Sequence, residues 1–380
     1  MNKIPSVLFA FFLLSVIPVS QAEIDFSGFG SFVVGISDNE DVIYNGYSTE
    51  DFTFDPDSLV GLQATSSLSD KASTTVQLVA RAANEWDVEV DWAYLQYQVN
   101  DQLSWRIGRL RSPFYLYSEY ITVNYAYPWI SPPLEVYSIS FSNINGADII
   151  YQPTFGSVDA LFQFYLGSER FMTDPGGTFN GAELETRNQF GFVAQFSWQS
   201  WETRFAYHGA DVYGDLSNSS LAPLIDTLNG NGETETADTL NLEDDFFEFL
   251  AFALSYNNGT FLGVFETISL SANDEAPFPD QIAYFATAGF QFNTSQVHIT
   301  WSIRDDDEPN LTSDLDSTSP FLSTVEGVQA SLPNERENIT LGYRWDFAPK
   351  TAFKVEVSSV DITDQDEDVL LLRTGVNLIF

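Results

Sequence analysis

Cysteine is absent from the 380 residues, so no disulfide staples the fold. Its stability must come from another device, such as closure of a large hydrogen-bonded sheet. Positive charge is scarce: 15 Lys and Arg stand against 54 Asp and Glu, a formal net charge of −39. That excludes nucleic acid as a partner, because binding its backbone requires a basic face. From Phe205 to Ile303 there is no Lys or Arg at all. Histidine is limited to His208 and His298, which leaves few candidates for a general base. Long apolar runs are missing too. The longest, Val7 to Ile17, is about eleven residues, against the roughly twenty that a membrane-spanning helix needs. It follows Lys3 and precedes the small residues of Ser20-Gln21-Ala22, a pattern that predicts a signal peptide over residues 1–22, cleaved before Glu23. The remainder, 23–380, shows no linker, low-complexity tract or repeat and reads as one domain.

What the chain does have is alternation with period two. Ile339, Leu341, Tyr343, Trp345 and Phe347 are apolar, with Asn338, Thr340, Gly342, Arg344 and Asp346 between them. Val297, Ile299, Trp301 and Ile303 alternate in the same way with His298, Thr300, Ser302 and Arg304. Such runs predict strands with two unlike faces. They fall near 24–36, 58–69, 72–83, 88–99, 102–112, 146–153, 157–168 and 187–199. Further ones fall near 201–213, 246–257, 260–272, 281–293, 295–305, 337–347, 351–363 and 369–380, sixteen in all. These strands are longer than is usual in soluble sheets, and aromatics sit near the ends of the apolar face. Short connections such as Gln199-Ser200 and Asn293-Thr294 alternate with long acidic ones such as Asp305 to Glu308 and Asp364 to Asp368. Even strand number, short turns at one end and long loops at the other predict an all-β, 16-stranded antiparallel transmembrane β-barrel.

One connection stands apart. Between Arg111 and Asn145 lie Pro113, Pro128, Pro132 and Pro133, with Tyr115, Tyr117, Tyr120, Tyr125, Tyr127, Trp129 and Tyr137. Loops of this length without regular structure are either functional or disordered, and this one is too apolar for disorder. Its aromatics predict a segment folded inside a larger enclosure.

At this point the chain resembles a Gram-negative outer-membrane porin over essentially the whole length after residue 22. The residues that carry the likeness are the terminal alternating strand ending in Phe380, Arg106-Ile107-Gly108-Arg109 at the close of the fifth strand, the sixth strand Gly146 to Gly156, and the longest folded loop between strands five and six. The resemblance implies a third loop that folds into the barrel and narrows the pore, and assembly as a homotrimer in the outer membrane, among its lipid and lipopolysaccharide. Two features depart from the family. The Pro-Glu-Phe-Gly-Gly segment common in its third loop is missing, and the second connection, near Asn84 to Asp87, is too short to latch onto a neighbouring subunit.

A pore for small hydrophilic solutes needs a polar wall and a constriction with fixed charges. By parity, Arg81, Arg106, Arg204, Arg344 and Arg373 face the lumen, and Arg109 and Arg111 join them if Gly108 marks a bulge. Glu119 and Glu135 of the loop are the carboxylates placed opposite. Two roles remain open for these arginines: a transverse field across the eyelet, or ties that hold the loop to the wall. The loop aromatics are open to two readings as well, a path for sugars or small organic acids, or packing of the loop upon itself. The acidic runs have no spacing of a calcium loop, and no cofactor or metal is implied. An adhesin would suit the long acidic loops but has no need of the inserted segment. An enzyme would need a nucleophile or carboxylate pair beside His208 or His298, and no motif supplies one. Passive diffusion is the expectation; the overall acidity favours cations at the mouth and the lumenal arginines favour anions in the throat, so the sign of selectivity stays open, with a lean to cations.

Overall fold

The computed structural model describes residues 24–380 apart from 41, 49–50, 174–178, 180, 217, 274–275, 364 and 366, and the side chain of residue 244. The expected signal peptide and the loop acids Asp41, Glu50, Asp364 and Asp366 lie outside the described residues. The alternating runs form sixteen antiparallel strands. They are β1 Ile24–Ser37, β2 Leu59–Ser67, β3 Ala72–Arg81, β4 Val88–Asn100, β5 Leu103–Arg111, β6 Asn143–Tyr151, β7 Val158–Met172 and β8 Glu183–Trp198. Then follow β9 Trp201–Asp215, β10 Glu243–Asn257, β11 Phe261–Ala272, β12 Asp280–Phe292, β13 Ser295–Asp307, β14 Arg336–Ala348, β15 Thr351–Ile362 and β16 Glu367–Ile379. Past Pro153, which has no N–H for the ladder, β6 resumes at Thr154–Phe155.

The sheet closes on itself. The first half of β1 pairs with β2, from Ile24 opposite Ser66 to Ser31 opposite Leu59. Its second half pairs with β16, from Phe29 opposite Ile379 to Ser37 opposite Leu371. Gly28 and Phe380 exchange backbone hydrogen bonds of 3.0 and 2.9 Å across this seam. Closure leaves no open edge, so the backbone is satisfied without disulfides.

Leu62, Leu78, Ile107, Leu166, Leu250 and Leu341 stand exposed on the outer face. Near the short turns the exposed residues are aromatic instead: Trp198, Trp201, Phe261, Phe292, Trp345 and Phe347. An apolar band bounded by an aromatic girdle is the surface that a lipid bilayer covers. At the opposite end the long connections build their own small core. Helices α1 Ala222–Asn231 and α2 Thr234–Thr239 follow β9, and α3 Leu322–Ala330 follows β13. Leu228, Leu240, Leu311 and Val325 bury one another there. The sequence reads these stretches as polar loops, because an apolar stripe about two to three turns long is too short to stand out against polar neighbours.

Candidate functional site

The connection at 112–142 leaves β5 through Pro113 and turns twice, at Ser118–Tyr120 and Asn124–Ala126. It then folds back at Pro133, whose carbonyl accepts from the N–H groups of Val136 (3.2 Å) and Tyr137 (3.0 Å). Its aromatics pack on one another: Tyr115 stacks on Tyr137 at 4.3 Å, and Tyr117 meets Trp129 edge to face at 5.5 Å. They also pack on the wall. Ala206, Ala251, Ala253, Val264 and Ala283 are buried beneath them, and Trp129 stands edge-on to Phe285 at 5.5 Å. Small side chains on the inner face let the loop approach the strands closely.

Polar groups fix this apolar contact in register. Lys354 of β15 is fully buried and donates to the loop carbonyls of Asn124 (2.5 Å), Tyr127 (2.9 Å) and Trp129. Next to it Glu356 accepts from the Ile130 N–H (2.7 Å) and from Arg373 (2.8 Å). Arg373 also reaches Asp57 (3.0 Å) and the hydroxyl of Ser131 (2.7 Å). Glu266 of β11 accepts from the Leu116 N–H and the Tyr137 hydroxyl, both at 2.7 Å. Trp129 donates its indole N–H to Thr300 at 2.8 Å. A buried charge is tolerated only when paired and hydrogen-bonded, so wall and loop satisfy each other. Asn124 donates to Ser31 of β1 at 3.2 Å. A segment anchored at once to the inner faces of β1, β9, β11 and β13–β16 lies inside the barrel. Burial holds the phenols of Tyr115, Tyr117, Tyr127 and Tyr137 above their ordinary range, so the loop stays uncharged at these positions.

No protein-family model and no curated protein matches the sequence. Solved structures do. The chain is similar to the outer-membrane channel DcaP of Acinetobacter baumannii, with a TM-score of 0.60 and 10% identity over 94% of this chain and 97% of that one. It is similar to OmpF of Salmonella typhi (TM-score 0.58, 12% identity, 94% and 98% covered). It is also similar to the anion-selective porin of Comamonas acidovorans (TM-score 0.55, 11% identity, 95% and 100% covered). The fold is that of the Gram-negative outer-membrane porins.

Within this porin fold the arginines expected in the pore are engaged. Arg81 pairs with Glu89 at 3.0 Å and Asp91 at 3.2 Å, and its side chain is 26% exposed. Arg106 holds Asp148 through Nε (3.0 Å) and Nη2 (2.5 Å) and reaches Glu119 at 3.3 Å. Glu119 keeps 41% of its side chain exposed. Arg344 donates to the carbonyls of Tyr125 (2.8 Å) and Tyr127 (3.1 Å) and pairs with Asp346 at 2.9 Å.

Several expectations need correction. Gly108 has a φ of +138° but makes no bulge: the ladders to β4 and β6 run in register through it. Glycine is needed there because a Cβ would lie 2.2 Å from the Ala93 carbonyl oxygen. Arg109 instead pairs with Glu169 at 2.8 Å, and Arg111 is buried against Asp91 and Ser142 under the Trp92 ring. Glu135 does not face open water. It is fully buried against Arg336 (3.3 Å), the Tyr44 hydroxyl (2.7 Å) and Ser302 (2.8 Å). Arg204 is likewise buried and donates to the carbonyls of Pro113 and Phe114, while Arg373 belongs to the Glu356 cluster. Parity places a side chain on the inner face but does not say whether water or loop covers it. Of the aromatics proposed as a solute path, Tyr117, Tyr127 and Trp129 are packed away and Tyr120 remains exposed.

Lys354, Glu356 and Glu266, the strongest anchors, were missed from sequence. Their signal was available: each interrupts an inner-face series, Ala352-Lys354-Glu356-Ser358 and Val264-Glu266-Ile268, with a charge that needs a partner. His208 bonds to the Tyr165 hydroxyl at 2.6 Å and His298 lies 3.7 Å from Glu356.

Proposed function

We propose that this chain forms a water-filled pore in the outer membrane for passive diffusion of ions and small hydrophilic solutes. The observation that carries the reading is the loop at 112–142, which crosses the closed barrel and is pinned to the far wall by buried charges. It narrows the lumen. On this reading the free passage runs between the exposed face of the loop, with Glu119 and Tyr120, and the polar inner faces of β2–β5. The selectivity is for cations. Arg81 and Arg106 are offset by Glu89, Asp91, Asp148 and Glu119, while Glu202, on the inner face of β9, accepts hydrogen bonds from Gln195 and Ser197 and has no cationic partner among the described residues. The net charge of −39 adds an attractive field at the mouth. The outer band faces lipid and lipopolysaccharide. A homotrimer would have to use a contact other than the six-residue connection at 82–87. The chemistry is transport, not catalysis.

Liposome swelling tests this reading. Proteoliposomes in monosaccharide solution should swell rapidly, and the rate should fall steeply from mono- to trisaccharide because the loop sets a size limit. Absence of swelling with folded barrel in the bilayer would overturn it.

A further inference from the structure

On the long-loop side of the constriction lies a cavity of about 580 Å³, lined by the loop's return arm, by β7–β10 and by the connections after β11 and β13. That is the size of sites that enclose drug-sized molecules. Its lining departs from what a water-filled lumen calls for. Phe141 stacks on Phe171 at 4.7 Å, Phe179 stacks on Phe278 at 4.6 Å, and Phe247 meets Phe278 edge-on at 5.3 Å. Phe114 adds a further ring, 5.4 Å from Phe141. Barrel interiors that only conduct water and ions are polar, whereas pockets that take small molecules are lined mainly by apolar and aromatic side chains.

The polar groups on the border narrow the ligand class. Gln281, Gln189, Thr186, Ser138 and Asn334 are uncharged donors and acceptors. The cation at the rim, Arg304, is matched by Asp306 through hydrogen bonds of 2.8 and 2.7 Å. Glu248 accepts from the Tyr207 hydroxyl at 2.6 Å. No surplus positive charge awaits an anion, so an aromatic acid would be held no better than its uncharged counterpart, and the acidic loops would repel it.

We propose that this cavity is a vestibular binding site for uncharged, hydroxyl-bearing aromatic solutes, such as aryl glycosides, which wait there before passing the constriction. A phenyl ring would sit between the two stacked phenylalanine pairs while its hydroxyls meet the amides and hydroxyls of the border. The inference rests on the channel reading above and specifies what that channel captures.

The test is single-channel recording in a planar bilayer with arbutin, a phenyl glucoside, added on the long-loop side, and methyl glucoside as the ringless control. Arbutin should produce concentration-dependent blockades that methyl glucoside does not. Phe171→Leu and Phe278→Leu each remove a ring while retaining most of the volume. Each should leave the open conductance unchanged and weaken the block about fivefold, in line with the loss of one aromatic pairing. Two independent substitutions, one in β7 and one in the connection after β11, guard against failure of either one to fold. A conducting channel in which arbutin and methyl glucoside act alike would overturn the binding site and leave the channel standing. Folded protein that conducts nothing would overturn both.

Discussion

Lys354→Met is expected to loosen the constriction loop and to destabilise the protein by about 3–5 kcal/mol, the cost of breaking a buried charged cluster by removing one member. The reason is local. Three loop carbonyls, those of Asn124, Tyr127 and Trp129, lose their shared donor, and Glu356 is left with Arg373 and the Ile130 N–H. Methionine fills most of the volume, so the effect reports lost hydrogen bonds and charge rather than a cavity. Urea unfolding followed by tryptophan fluorescence should show a lower midpoint, and single channels should flicker between conductance levels. Unchanged stability and a quiet channel would show that Lys354 does not hold the loop.

Removing Tyr115–Tyr137 and joining the ends with a short flexible linker should raise single-channel conductance about twofold or more, since pore resistance is set by its narrowest section. It carries a cost in stability. Ala206, Ala251, Ala253, Val264 and Phe285, now covered by the loop, would face water. A correctly folded variant with wild-type conductance would mean that the loop does not limit the pore.

The barrel was legible because a strand with lipid on one side and water on the other must alternate, and nearly every strand does. Predicted ends fall within a few residues of those observed; β8 starts at Glu183 rather than near 187 and β10 at Glu243 rather than near 246. The interior was less legible. In β10 the run Phe249-Leu250-Ala251-Phe252-Ala253-Leu254 is apolar on both faces, which is a weak strand signal taken alone. It has a cause: lipid meets one face, and the inserted loop meets the other. That loss of alternation was the trace of the loop's resting place. Arg204, Arg373 and Glu135 illustrate the same limit. All three lie inside the barrel as expected, but which inner residues stay wet depends on where a distant loop lands. No local pattern encodes that. The cavity of phenylalanines was invisible for the same reason, since Phe141, Phe171, Phe179 and Phe278 come from separate connections and strands.

The most direct test of the account is the reversal potential of single channels in a planar bilayer under a potassium chloride gradient. Stepwise ohmic openings with a reversal potential displaced toward that of potassium, and a displacement that shrinks as total salt rises, are the predicted result, because exposed carboxylates are screened. Anion preference would mean that the lumenal arginines are not neutralised as the geometry shows. Silence from folded protein would contradict the channel itself.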